Sequence, residues 1–170
     1  MNLAIMMTIA AATPYIPSTP SLGMAEARCR PNEAGPAIIV DVAGLKDRQG
    51  RLKLEAYPSN DRDFLADDNV LVMAGKVFRR VERPLSGQGD VRLCIRVPAP
   101  GAYSLSLLHD RDSNRRFGLS SDGIGFPNNP RLGLSRPSAA ATRVVAGRGL
   151  TRIRIVMNYR RGLSFRPLRQ

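Results

Sequence analysis

The residues best equipped for chemistry in this 170-residue chain stand together between Leu107 and Pro130, in LLHDRDSNRRFGLSSDGIGFPNNP. The stretch holds His109, the one histidine, with Asp110, Asp112, Asn114 and Asp122. Asp110-x-Asp112-x-Asn114 matches the first three ligand positions of an EF-hand-like loop, in which alternate oxygens gather around calcium. That loop also needs Gly at its sixth position and a bidentate Glu at its twelfth. Here Arg115 and Ser121 stand at those places, with Asp122 one residue late. Adjacent Arg115 and Arg116 would repel a divalent cation. The favoured reading is therefore a loop held by Asx turns and by pairing of its carboxylates with Arg111, Arg115 and Arg116. Calcium on Asp110, Asp112, Asn114 and Asp122 is the lesser alternative, and no other cofactor is expected.

His109 alternates with Leu105 and Leu107, which predicts a strand end with a partly buried ring. In that position a histidine reads as a hydrogen-bonding anchor for the loop rather than a general base. No nucleophile elbow, phosphate-cradling glycine loop or zinc-protease helix is present, and Gly118, Gly123 and Gly125 read as loop punctuation. No catalytic residue is assigned. The expected binding residues are His109, Asp110, Asp112, Asn114, Asp122, Phe126, Asn128 and Asn129.

Charge points to a second surface. The formal net charge is +12, and of 26 basic residues only Lys46, Lys53 and Lys76 are lysines. A balance of that size favours anionic partners. Arg92 and Arg96, with Arg152 and Arg154 if their strands are neighbours, would form an arginine stripe on the outside of a sheet. Sequence-tolerant nucleic-acid binding calls for aromatic platforms between the basic residues. With four Tyr, five Phe and no Trp, nucleic acid is disfavoured, and an acidic envelope component or polysaccharide fits better. The plainer alternative is a solvated charged face.

The compartment is read from the N-terminus. Leu3–Ala12, LAIMMTIAAA, is too short to span a bilayer and suits the core of a signal peptide. Ala25-x-Ala27 offers a cleavage pattern, so residues 1–27 are expected to leave and the mature chain to be periplasmic or secreted. Met1–Asn2 departs from the usual pattern in lacking Lys or Arg. In an exported chain Cys29 and Cys94 suggest one disulfide. In Val91–Val97 the residues Val91, Leu93, Ile95 and Val97 share one face, which puts Cys94 on the other, placed to staple an N-terminal segment across the sheet. Two unrelated thiols is the competing reading. A metal site from two Cys and one His lacks a fourth ligand.

The elements that position these residues are short strands. Ala37–Gly44 is β-branched and closes on Gly. Arg51–Tyr57 alternates Leu52, Leu54 and Ala56 with Arg51, Lys53 and Glu55, as a half-buried antiparallel strand does. Lys76–Leu85, Asp90–Val97 and Ala102–His109 read likewise, and Val70–Met73 is a further apolar run. Ala141–Ala146 and Leu150–Tyr159, separated by Gly147-Arg-Gly149, give a hairpin signal. Arg160–Gln170 reads as a frayed basic tail. The expectation is a single all-β domain over residues 28–159, an antiparallel β-sandwich of about seven strands.

Several of these pieces also resemble the bacterial domain-of-unknown-function family 2141. The matching elements are VAGL, the strand RLKLEAY, the loop anchor DFL, the corner PAPGAYSLSLLHD and the segment GIGFPNNP, running from about Ile38 to Tyr159. The resemblance implies a small immunoglobulin-like or transthyretin-like β-sandwich outside the cytoplasm, of unestablished biochemical role. Relatives commonly carry Gly and Lys where this chain has Arg115 and Arg116. The functional expectation is a non-catalytic envelope binding or accessory module with the 109–129 loop as its recognition surface. The alternative is a metal-dependent or carbohydrate-active enzyme using Asp110, Asp112 and Asp122.

Overall fold

The computed structural model describes residues 14–28, 30–133 and 135–168. In chain order these form β1 (Ala37–Ala43), β2 (Arg51–Pro58), α1 (Asp68–Met73), β3 (Arg79–Pro84), β4 (Val91–Arg96) and β5 (Gly101–Asp110). β6 (Gly123–Gly125), β7 (Arg143–Ala146), β8 (Leu150–Val156), β9 (Asn158–Arg161) and β10 (Ser164–Pro167) follow. One sheet has the order β4-β1-β8. The other runs β10-β9-β6-β5-β2-β3, with β7 paired to β5. The expected all-β sandwich is observed, built from ten strands among the described residues rather than about seven.

Its core follows from alternation. Leu52, Leu54 and Ala56 of β2 are fully buried and lie opposite His109, Leu107 and Leu105 of β5. Ile38, Val40, Leu93, Ile95 and Ile155 meet them from the smaller sheet, in one continuous cluster. Each such aliphatic side chain contributes roughly 1.5–3 kcal/mol when buried. On the outer face of the larger sheet Tyr57, Phe64, Phe78 and Phe126 form a second cluster of edge-on rings.

Several sequence expectations are corrected. Ala141–Ala146 and Leu150–Tyr159 do not pair as a hairpin. β7 lies antiparallel on β5, and β8 lies parallel to β1 in the other sheet. The Gly147-Arg-Gly149 turn therefore carries the chain from sheet to sheet, and the sandwich is not purely antiparallel. The second segment is itself two strands, since β9 leaves β8 at Met157 to pair with β6. Of the expected frayed tail Arg160–Gln170, residues 160–167 are instead held, because β9 and β10 pair around Gly162, whose φ of 65° suits the turn. Val70–Met73 lies in the short helix α1, with Leu71 buried beneath it.

The N-terminal segment is a strap across two sheet edges. The Arg80 N–H of β3 donates to Gly23 O (2.7 Å), and the Ala25 N–H donates back to Arg80 O (2.9 Å). On the β4 side the Arg96 N–H donates to Ala25 O (2.8 Å), and the Ala27 N–H to Cys94 O (3.0 Å). β3 and β4 are edge strands of different sheets, so one segment covers backbone groups that both would otherwise expose. Beneath it Arg80 pairs with Glu55 (2.8 Å) and Asp68 (2.9 Å), all three buried. Cys94 is correspondingly buried with Ala27, Ala37 and Ile39 rather than lying on an open outer face. Cys29, and with it the Cys29–Cys94 pairing, lies outside the described residues.

Candidate functional site

The 109–129 loop is pinned at both ends by groups the sequence singles out. His109 is fully buried, and both its ring nitrogens are engaged. The Tyr159 hydroxyl accepts from the Lys46 N–H (2.9 Å) and donates to His109 Nδ1 (2.6 Å). Nε2 then carries the proton and donates to Gln49 O (2.9 Å), so the neutral imidazole satisfies every partner. Burial, first of all, holds the ring below the usual histidine range, although Asp47 nearby pulls the other way. Burial likewise pushes the Tyr159 phenol up to about 12. His109 is an anchor for the loop. Gly50 packs against the same strand end, where an added Cβ would fall 2.0 Å from Asp110 O.

Asp110, Asp112 and Asp122 converge, each offering an oxygen within 4.8 Å of the others. Asp110 and Asp122 are buried and Asp112 is exposed. The carboxylate oxygens already accept protein hydrogen bonds. Asp110 takes the N–H groups of Asn114 (3.1 Å) and Arg115 (2.8 Å). Asp122 takes those of Arg111 (3.0 Å) and Gly118 (2.7 Å). Asp112 accepts from the Asn114 N–H (3.2 Å) and Nδ2 (2.8 Å), and Asn114 Oδ1 accepts from the Arg116 N–H (2.7 Å). The chemistry shown is that of nested Asx turns, which is how Ser113 and Arg115 are held at φ near 60°. Burial, with the neighbouring acids, raises the Asp110 carboxyl above its ordinary value.

The arginines take other partners. Arg111 binds Asp47 through Nε (2.9 Å) and Nη2 (2.6 Å), tying the loop to the turn before β2. Burial opposes ionisation of Asp47, yet Arg111 keeps its carboxyl below the ordinary range. Arg115 reaches Glu82 (3.2 Å). Pairing of the loop's own carboxylates with Arg111, Arg115 and Arg116, as read from the sequence, is replaced by backbone donors, since those carboxylates sit inside the turns they build.

Of the remaining expected binding residues, Asn128 donates to Ala141 O (3.2 Å) and Arg143 O (3.1 Å), and Asn129 accepts from the Val156 N–H (2.9 Å). Both have positive φ, so the GFPNNP segment is a turn stapled to β7 and β8. Phe126 is buried, and it belongs to a feature the sequence reading missed. A groove of about 340 Å³ opens beside the loop, lined by Phe117, Leu119, Ile124 and Phe126 together with Leu132, Arg136 and Phe165. Phe117 and Leu119 remain 41% and 58% exposed in an otherwise polar loop. That pair of apolar residues was the available signal. Leu65, also in the lining, is held at φ 61°, which costs about 1–3 kcal/mol in a non-glycine residue.

The expected arginine stripe is divided. β1 lies between β4 and β8, and Asp41 at its centre binds Arg92 (2.9 Å) and Arg152 (2.5 Å). The Arg152 hydrogen bond leads in lowering the Asp41 carboxyl to about 2. Arg96 pairs with Glu33, and Arg154 is exposed without an ion pair among the described residues. No helix among the described residues is long and apolar enough to cross a membrane.

No curated protein and no solved structure matches the chain. The family model described as "Uncharacterized protein conserved in bacteria (DUF2141)" matches residues 40–154, from β1 through the organising loop to β8. The chain belongs to that bacterial family.

Proposed function

We propose that the chain is an exported, non-catalytic envelope binding or accessory module whose 109–129 loop supplies the recognition surface. The observation that carries this reading is a loop held rigid from inside by Asp110 and Asp122 while it leaves Phe117 and Leu119 in water beside an apolar groove. Exposed apolar surface on a pinned scaffold is what a binding site offers and what a purely structural loop avoids. The engaged, buried His109 supports a non-catalytic role.

Export rests on the apolar run Leu3–Ala12. The bonds of residues 23–27 to β3 and β4 favour a cut upstream of the strap over one after Ala27. A Cys29–Cys94 disulfide fits this reading, since the Ala27–Cys94 backbone bond leads the chain toward Cys94.

Convergence of Asp110, Asp112 and Asp122 favours a second reading, a metal-dependent or carbohydrate-active enzyme. Against it, their oxygens are already engaged by the loop backbone.

The test is a titration of isotopically labelled protein with an envelope extract, followed by NMR. Perturbation centred on Phe117, Leu119 and Ile124 is expected. Perturbation centred on Asp112 and Asn114, or none in residues 109–129, would contradict the reading.

A further inference from the structure

The groove beside the loop is walled by Phe117, Ile124, Phe126, Leu132 and Phe165, and among the described residues Arg136 is the one charged member of its lining. Building on the reading of the loop as a recognition surface, we propose that this groove binds a single-chain amphiphile with an anionic head, of the fatty-acid class. The tail lies along the aromatic wall and the head meets the Arg136 guanidinium.

The walls argue for the tail. Phe117 and Phe165 stack at 5.6 Å in a tilted pair but leave Phe117 and Leu119 open to water. Covering that surface is favourable, and a volume of about 340 Å³ suits one slender chain. Nothing among the described lining residues supplies the array of polar groups that a sugar ring needs.

Charge argues for the head. Arg136 donates from Nη1 to Phe64 O (3.0 Å) and from Nη2 to Asp61 O (3.1 Å), which fixes the fork. It makes no ion pair among the described residues, and no Asp or Glu lines the groove. A carboxylate head completes this cation with a charge-assisted hydrogen bond. A neutral head forgoes that charge pairing at the exposed Arg136, and a cationic head is repelled. The rim is built to hold its shape, since Leu65 is kept in a left-handed backbone conformation and Phe64 O on Arg136 fixes the preceding residue.

The experiment titrates the full chain with decanoate, decanol and decyltrimethylammonium, read by calorimetry and by shifts of Phe117, Ile124 and Leu132. Decanoate is expected to bind at least tenfold more tightly than decanol, with decyltrimethylammonium weakest. Arg136→Gln should bring decanoate to the decanol level, and Arg136→Lys should keep most of the preference. Phe117→Asp, at an exposed position, should abolish binding of all three. Equal affinity for decanoate and decanol in the wild type would overturn the acidic head while leaving an apolar recognition surface standing. The same holds if a folded Arg136→Gln variant keeps the decanoate preference. Absence of shifts at Phe117, Ile124 and Leu132 with every probe would overturn both this proposal and the reading it rests on.

Discussion

The Tyr159 hydroxyl lies 2.6 Å from Nδ1 of His109, and this contact joins the strand that starts the organising loop to a strand reached only after it. Because Nε2 must donate to Gln49 O and Nδ1 accepts from Tyr159, the folded state prefers the neutral ring. The His109 pKa is lowered on folding. Below the unfolded value of about 6.5 the unfolded chain therefore takes up a proton that the folded chain does not. Stability contributed by this site is complete above that pH. It declines on acidification at up to about 1.4 kcal/mol per pH unit, until the folded ring protonates. Asp110, with its raised carboxyl, has the opposite sign at lower pH, favouring the fold in its protonated form. His109→Gln should flatten the His-linked slope and cost about 1–3 kcal/mol by leaving buried partners unmatched. Denaturant midpoints across pH, wild type against variant, measure both effects.

The loop should depend on Asp122 and not on calcium. Asp122→Ala strands the Arg111 and Gly118 N–H groups and should destabilise the fold by roughly 1–3 kcal/mol in chemical denaturation. Calcium needs six to eight oxygens at about 2.3–2.6 Å, and two carboxylates with one amide, joined at most by Asp122, fall short. Titration calorimetry should show nothing tighter than about millimolar, the weak end of known sites. Chelator should leave the melting temperature unchanged. A melting point that rises with calcium and loses that rise in Asp112→Asn would promote the enzyme reading.

The strap gives a third expectation. A chain that begins at Arg28 lacks the bonds of Gly23, Ala25 and Ala27 to the two sheet edges and uncovers the Glu55–Arg80–Asp68 network. At about 0.5–1.5 kcal/mol for each of the four backbone bonds it should be less stable by roughly 2–6 kcal/mol than a chain that begins at Thr13. Intact mass of exported protein should include residues 23–27 and a two-hydrogen deficit for the Cys29–Cys94 bond. Two alkylatable thiols would contradict the disulfide. Cys94→Ser should then cost about 2–4 kcal/mol.

Asp41 should limit anion binding on the smaller sheet, since Arg92 and Arg152 both close on it. Heparin retention is expected to be weak and to fall toward physiological salt, where screening acts over about 8 Å. Asp41→Asn should strengthen retention, and exchange of Arg92, Arg96, Arg152 and Arg154 for Gln should remove it. Retention unchanged in both variants would place the anion surface elsewhere.

Much of the scaffold was legible because half-buried strands write their environment as alternation. Leu52, Leu54 and Ala56 face the core, as do Leu105 and Leu107. Partnership was less legible than strand formation. Gly147-Arg-Gly149 looks the same whether it turns a hairpin or passes the chain between sheets, and β8 finds its parallel partner β1 more than a hundred residues upstream. Within the loop, Asp110, Asp112 and Asn114 advertised their turns by spacing. The arginines gave no sign that Asp47 and Glu82 would claim them. The groove was hidden because its walls come from Leu65, from Phe117, Leu119, Ile124 and Phe126, from residues 132, 133 and 135–137, and from Phe165, which only the folded chain brings together.

The most direct measurement places a photo-crosslinking benzoylphenylalanine at Leu119, with a control at Val145, which is 68% exposed on β7 away from the groove lining. Irradiation in the envelope, followed by intact mass, should show a small-molecule adduct at position 119 and none at 145. Adducts at both positions alike, or at neither, would contradict the loop's role as the recognition surface.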